Sequence, residues 1–282
     1  MAPSRHEKYL RFVALHQRPG AFVIPNPWDA GSARILSSLG FEALATTSAG
    51  YAFSIGRRDS FAGLDRAPLL ANAAAIAGAT DLPVSADLED GFGAAPASCA
   101  ETIHLAAEAG LVGGSIEDAT GDAAAPIHDI GLAVERVAAA AEAARGRDFL
   151  LTARCENYLW GRPDFKDTLR RLQAYAAAGA DVLYAPCLPD LETIRILCTE
   201  TDRPVNVVMG LSGPVWPVAE LAAAGVRRIS VGGSFARAAL GELIRAATEV
   251  RDKGTFTYAA SAAPGAEIAE LMSADKRSPP QQ

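Results

Sequence analysis

The chain has 282 residues, 50% of them apolar, with a net charge of −7 and a pI near 5.2. That composition supports a large core, lies far from the disordered regime and offers no basic stripe for nucleic acid. No apolar run approaches the roughly 20 residues of a bilayer span, and the polar start Met1-Ala2-Pro3-Ser4-Arg5-His6-Glu7-Lys8 lacks a signal-peptide core, so a cytoplasmic enzyme with no nucleic-acid or membrane partner is expected.

In chain order, residues 4–18 read as an amphipathic helix. Short β-type runs then alternate with alanine-rich helical stretches. Strands fall near 21–24, 43–47, 83–87, 113–117, 149–154, 181–185, 205–208 and 227–231. Helices fall near 29–39, 64–78, 97–110, 129–145, 164–178, 190–200, 216–224 and 234–252. Several helices stop at a glycine followed by a strand, as in Leu39-Gly40-Phe41, Ala109-Gly110-Leu111 and Ala224-Gly225-Val226, because glycine accepts the left-handed conformation at a helix end. Eight β-α pairs predict an α/β fold of the (β/α)₈ TIM-barrel type. The doubly wound alternative lacks a Gly-rich fingerprint after its first strand, where Pro25-Asn26-Pro27-Trp28-Asp29 stands instead. A single domain is expected: residues 1–254 as barrel with N-terminal helix, and 255–282 as a C-terminal extension with a helical stretch at 266–272 and a frayed end at 278–282. An extra helix beyond the barrel needs an apolar partner, and a neighbouring subunit is one option.

Three acidic clusters fall where strands run out: Asp87-Leu88-Glu89-Asp90, Glu117-Asp118 and, with a cation, Arg154-Cys155-Glu156. Charge beside an apolar core is costly unless it is paired or holds a metal. Along an extended strand, Asp87 and Glu89 would share one side, roughly 7 Å apart. Barrel enzymes place their chemistry at the C-terminal strand ends. That rim would collect Thr46-Thr47-Ser48-Ala49-Gly50 after strand 2, Asp87 and Glu89 after strand 3, Glu117 after strand 4 and Arg154 after strand 5. Oxygen ligation with several waters suits Mg²⁺, and Mn²⁺ also fits. The four histidines do not cluster, which argues against zinc: His6, His16 and His104 fall on helices, and His128 reads as a solvated loop residue. Cys99, Cys155, Cys187 and Cys198 are scattered and read as small hydrophobes; alternation turns Cys155 away from Arg154. Each acid, taken singly, has a bland alternative as a helix cap, a loop residue or half of an ion pair. Their joint placement on adjacent strands points to a site.

Five motifs in register carry a resemblance over residues 20–245: Asn26-Pro27-Trp28-Asp29-Ala30-Gly31-Ser32-Ala33, the Thr-Thr-Ser-Ala-Gly run, Ser85-Ala86-Asp87-Leu88-Glu89-Asp90-Gly91-Phe92-Gly93, Ser115-Ile116-Glu117-Asp118 and Thr152-Ala153-Arg154. Together they resemble the isocitrate lyase/phosphoenolpyruvate mutase superfamily. The resemblance implies a barrel whose last helix swaps between subunits, giving homodimers or homotetramers, and a Mg²⁺ that binds a 2-oxo carboxylate. It implies that Asp87, Glu89 and Glu117 are the metal-site carboxylates, some acting through metal-bound water. Arg154 would contact the substrate, Asp59 would lie near the reacting carbon, and Thr47, Ser48 and Ala49 would hold the substrate carboxylate or oxo oxygen. Asn206 is a further candidate substrate ligand, and Asn157, Tyr158, Trp160 and Met209 are candidate pocket liners. The family usually has Asp-x-Asp where this chain has Asp87-Leu88-Glu89.

One departure bears on the chemistry. The lyases of the family carry a Lys-Lys/Arg-Cys-Gly-His loop after the strand-4 Glu-Asp, and the mutases and hydrolases one with lysine, asparagine and serine. Here the stretch from Ala119 to His128 has neither cysteine nor lysine. The expected function is a Mg²⁺-dependent lyase cleaving a C–C bond in a small 2-oxo or hydroxy carboxylate. Its simplest form is decarboxylation of an oxaloacetate-type acid, which needs no base to deprotonate a hydroxyl; methylisocitrate-like cleavage is another. The alternatives are a P–C bond enzyme acting on a phosphonopyruvate-like substrate and a non-catalytic 2-oxo acid binding protein.

Overall fold

The computed structural model describes residues 2–60, 63–211 and 213–273; the expected frayed end at 278–282 lies outside them. Eight short parallel strands run β1 (Phe22–Ile24), β2 (Leu44–Ala45), β3 (Val84–Asp87), β4 (Gly113–Glu117), β5 (Leu150–Arg154), β6 (Val182–Tyr184), β7 (Val205–Val208) and β8 (Arg228–Ser230). They pair in the order β1-β8-β7-β6-β5-β4-β3-β2, and the Ala45 N–H donates to the Pro25 carbonyl at 3.0 Å across the remaining gap. Asn26 staples that seam: its amide donates to the Thr46 carbonyl at 2.9 Å, and its Oδ1 accepts the N–H groups of Val231 and Gly232. The expected (β/α)₈ barrel is present as one such sheet wrapped by helices.

The helices that cover the sheet are α2 (Ala30–Ser38), α4 (Arg66–Gly78), α5 (Pro96–Glu108), α6 (Ile130–Ala144), α7 (Phe165–Ala177), α8 (Leu191–Thr199) and α9 (Val218–Ala223). Their inward faces form one continuous core with the outward faces of the strands, including Leu44, Ile103, Ile116, Leu151, Leu172 and Leu183. The N-terminal helix α1 (Arg5–Gln17), closed by a capping box of Ser4 and Glu7, plugs the floor of the barrel. There Phe12 and Leu15 pack with Phe22, Ile24, Val112 and Leu150. Gly113 makes room for this plug, since a Cβ on it would meet the Phe12 ring at 2.9 Å.

Two features differ from the sequence expectation. The segment after β2, outside every expected helix, is a short helix, α3 (Ser48–Ser54), capped by Thr47, whose hydroxyl accepts the Gly50 N–H at 3.2 Å. The strand β3 stops at Asp87, and Glu89 takes a left-handed φ of 52°; strand alternation therefore does not place Asp87 and Glu89. The turn is held from below by the buried Arg136, which donates to the Asp90 and Gly93 carbonyls.

Beyond β8, α10 (Ser234–Lys253) leaves the barrel with only Ala236 buried, and Leu243 and Ile244 are 63% and 64% exposed. A 3₁₀ turn (Thr257–Ala260) and α11 (Gly265–Met272) follow. The helix α11 rests on α2 of its own chain, where Arg34 donates to the Met272 carbonyl at 2.7 Å. No helix among the described residues is long and apolar enough to cross a membrane.

Candidate active site

A cavity of about 560 Å³ opens at the C-terminal rim and runs down into the barrel. Its lining includes every residue expected to bind or react: Thr47, Ser48, Ala49, Asp59, Asp87, Glu89, Glu117, Arg154 and Asn206. Of the other proposed liners only Trp160 borders it. Asn157 turns away to donate to Asp167 and Thr168, Tyr158 packs on the core, and Met209 borders a separate small cavity.

Arg154 organises the site. Its three nitrogens reach three different carboxylates: Nη1 to Asp87 Oδ1 at 3.0 Å, Nη2 to Glu117 Oε2 at 3.1 Å and Nε to Glu156 Oε1 at 2.9 Å. Its guanidinium carbon also lies 5.0 Å from the centre of the Tyr184 ring, a cation–π distance. Burial works against its charge, but Glu156, Glu117 and Asp87 outweigh that and hold Arg154 firmly protonated. Asp87 is fixed from its other side by Ser48, whose hydroxyl and N–H donate to Oδ2 at 2.7 and 3.2 Å. Ser48 thus gives the acid the groups that sequence reasoning assigned to the substrate.

The acids crowd one another. Burial first, and the Asp87 charge second, push Glu89 up to about 7, with a Ser48 hydrogen bond opposing. Glu117 is raised well above its ordinary range by burial and by the charges of Glu156, Asp87 and Glu89, against the pull of Arg154. Asp59, exposed at the mouth, is raised by partial desolvation and by Asp87.

Glu156, expected only as part of the third acidic cluster and given no role there, belongs to the site. It is fully buried, touches Arg154, and its Oε2 has no hydrogen-bond partner. A buried network behind it fixes its backbone. Asp118 accepts the Glu156 N–H at 2.8 Å, the Tyr175 hydroxyl at 2.6 Å and Arg171 at 3.3 Å. Two further cations escaped sequence reasoning, Arg228 and Arg237, which both line the cavity. Cys155 is buried on the opposite side of the strand, as alternation requires, and burial raises its thiol. His128 is half-buried rather than solvated, with Nε2 unpartnered. The loop from Ala119 to His128 folds on itself through an Ala119–Ile127 bridge, and none of its described residues lines the cavity.

Among the described residues, no three acidic, histidine or cysteine side chains converge tightly enough to cage an ion. The donor set nonetheless fits a hard cation: it is all oxygen, and the five acids Asp59, Asp87, Glu89, Glu117 and Glu156 outnumber the three arginines, Arg154, Arg228 and Arg237, that line the same cavity. The chemistry suits an ion that keeps much of its water shell, as Mg²⁺ does.

A parallel barrel with an acidic, arginine-centred pocket at its strand ends has the arrangement in which barrel enzymes carry their active sites. The profile of the phosphoenolpyruvate phosphomutase family matches residues 12–251, and the chain belongs to that family, within the isocitrate lyase/phosphoenolpyruvate mutase superfamily. A solved Burkholderia cenocepacia protein, assigned only to the lyase/mutase class, is 58% identical and superimposes with a TM-score of 0.92 over 94% of this chain and 95% of its own. An uncharacterised Mycobacterium tuberculosis protein is 33% identical over 86% of this chain and 90% of its own. The oxaloacetate decarboxylase of Chromohalobacter salexigens is 28% identical over 89% of this chain and 88% of its own.

Proposed function

We propose that the chain is a divalent-cation-dependent lyase that breaks a C–C bond in a small 2-oxo or 2-hydroxy carboxylate, with decarboxylation of an oxaloacetate-type acid as the leading reaction. The observation that carries this reading is the make-up of the pocket. Acids and arginines converge there, and no cysteine, lysine or histidine lines it among the described residues. That inventory suits a reaction that needs charge stabilisation but no strong base. The similarity to an oxaloacetate decarboxylase supports the same choice.

Asp87, Glu89 and Glu117 would hold the cation, which when bound supplies Lewis-acid polarisation of the 2-oxo group. Mg²⁺ is the ion proposed, with Mn²⁺ as a substitute. Thr47 and Ala49 orient the substrate carboxylate at the head of α3, while Ser48 holds Asp87 in place. Arg154, kept protonated by its acids, faces the 2-oxo oxygen and stabilises the negative charge that develops there. The electron pair of the breaking bond passes into the carbonyl, carbon dioxide leaves, and the enolate remains beside Arg154. Asp59 returns a proton to the carbon. Glu156 and the Asp118 network keep Arg154 in place and touch no substrate.

The test is a product screen over small oxo and hydroxy acids and phosphonopyruvate, with Mg²⁺ present. Pyruvate or a related 2-oxo product from a C–C cleavage is expected. Release of phosphate or phosphoenolpyruvate from phosphonopyruvate alone would favour P–C chemistry. Tight binding of oxo acids with no product at all would favour a sensor.

A further inference from the structure

Arg228 stands apart from the other buried cations. It is 5% exposed at the start of β8, and every contact it makes is to a neutral group. Its Nε donates to Asn206 Oδ1 at 2.8 Å, Nη2 donates to Thr152 Oγ1 at 2.9 Å, and Nη1 faces His16 Nε2 at 3.5 Å. His16 is itself uncharged: burial, then the Arg228 charge, push it down to about 3, and its Nδ1 bonds the Phe12 carbonyl at 2.8 Å. No carboxylate pairs with Arg228 among the described residues, and burial lowers it to about 10. A buried charge without a counter-ion is costly, and natural structures rarely tolerate one without a purpose. A guanidinium also carries five N–H donors, more than these three contacts use.

The same arginine lines the floor of the cavity. Arg154 pairs with Tyr184, Tyr184 with Asn206, and Asn206 with Arg228 in successive ladders. Residues in register share one face of a sheet, so all four point into the barrel. Three strand spacings of about 4.8 Å, on strands tilted about 36°, carry this row about 8 Å along the barrel axis. Arg154 sits at the rim and Arg228 meets the floor helix α1, so the row descends. Small side chains, Ala45, Ser85 and Ser115, line the shaft beside it and leave it open.

We propose that Arg228, with Asn206, forms an anion subsite at the floor of the barrel that takes the second carboxylate of a four- or five-carbon 2-oxo dicarboxylate. The proposal rests on the 2-oxo acid reading of the rim and names the substrate class. The acid end of the ligand lies at Arg154 and the strand-2 segment, and the chain of the ligand runs down the shaft to Arg228. Substrate binding then supplies a counter-ion; in an oxaloacetate-type acid this is the carboxylate that leaves, so the contact serves binding and is given up as carbon dioxide forms. A carboxylate meeting a desolvated guanidinium gains a paired, charge-assisted contact.

The experiment compares pyruvate, which has one carboxylate, with oxaloacetate and 2-oxoglutarate, which have two. Binding is followed by stopped-flow tryptophan fluorescence with Mg²⁺ present, on the wild type, Arg228→Met and Asn206→Asp. The wild type is expected to bind at least one dicarboxylate about tenfold or more tighter than pyruvate. Arg228→Met should lose that preference and keep pyruvate binding. Asn206→Asp places a carboxylate against the Arg228 Nε, so it should lose the preference as well and unfold at a higher temperature. It keeps the test alive if Arg228→Met does not fold. Equal binding of all three acids by the wild type, or a preference that survives Asn206→Asp, overturns the floor subsite alone. Failure of pyruvate and both dicarboxylates to bind overturns the 2-oxo acid reading on which it rests.

Discussion

Replacing Arg154 by lysine keeps one positive charge in the pocket but dismantles the fork that distributes it. In the native chain three separate nitrogens meet Asp87, Glu117 and Glu156 at 2.9–3.1 Å. A lysine ammonium is a single nitrogen on a flexible stem and cannot meet three carboxylates spread around a plane. Charge-assisted hydrogen bonds contribute about 1.5–3 kcal/mol each. Those bonds are present in the free protein and enter its stability; what enters kcat/KM is the loss of a positioned donor at the developing charge, about 2.7–4 kcal/mol, or roughly a hundredfold or more. The assay is release of the 2-oxo product with saturating Mg²⁺, run beside thermal unfolding of both proteins. Arg154→Lys is expected to stay folded and to lose about two orders of magnitude in kcat/KM. A variant with near wild-type kcat/KM would refute the assignment of Arg154 as the group that stabilises developing charge. So would a loss of activity that merely tracks unfolding.

Two further outcomes follow from the fold. The Asp167 carboxyl resists burial and is held below its ordinary range by hydrogen bonds from Arg171, Asn157 and Arg170. A depressed carboxylate stabilises the fold above its unfolded pKa, and that stability is lost as pH falls toward the folded value. Denaturant stability of the wild type should therefore fall more steeply between pH 5 and pH 3 than that of Asp167→Asn; equal slopes would contradict the ion-pair account. We also propose that the exposed apolar side of α10, with Leu243 and Ile244, pairs copies of the chain into a homodimer or homotetramer. Sedimentation should show the oligomer for the wild type and smaller species for a Leu243→Glu, Ile244→Glu double variant; a monomeric wild type would dismiss it.

Much of this architecture was legible in the sequence because local signals agreed with the fold. Glycines at helix ends and β-branched or aliphatic runs marked the eight units, and the rim acids Asp87 and Glu117 stood at the ends of β3 and β4. The helix α3 escaped because it is 7 residues long and opens on a Thr-Thr-Ser run that reads equally well as a loop. Glu89 was assigned by strand alternation to a place it reaches through a left-handed turn instead. The signal for Glu156 was present: it lies two residues beyond Arg154, on the same side if the strand is continued. Arg228 hid in Val226-Arg227-Arg228-Ile229-Ser230, where two adjacent arginines look equivalent. Alternation separates them, for Arg227 points outward to the Arg18 and Gly20 carbonyls while Arg228 enters the barrel. What no local pattern reveals is that Arg228 has no acid beside it among the described residues, since that depends on strands far apart in sequence.

The central claim is that this acidic pocket uses a divalent cation to break a C–C bond in a 2-oxo acid. The most direct measurement is the rate of pyruvate release from oxaloacetate by protein stripped with chelator, then after Mg²⁺ is restored, with Asp87→Asn as the control. The account predicts loss of turnover on stripping, recovery on adding Mg²⁺, and no recovery in Asp87→Asn. Undiminished turnover by the stripped protein, or full recovery in Asp87→Asn, would contradict it.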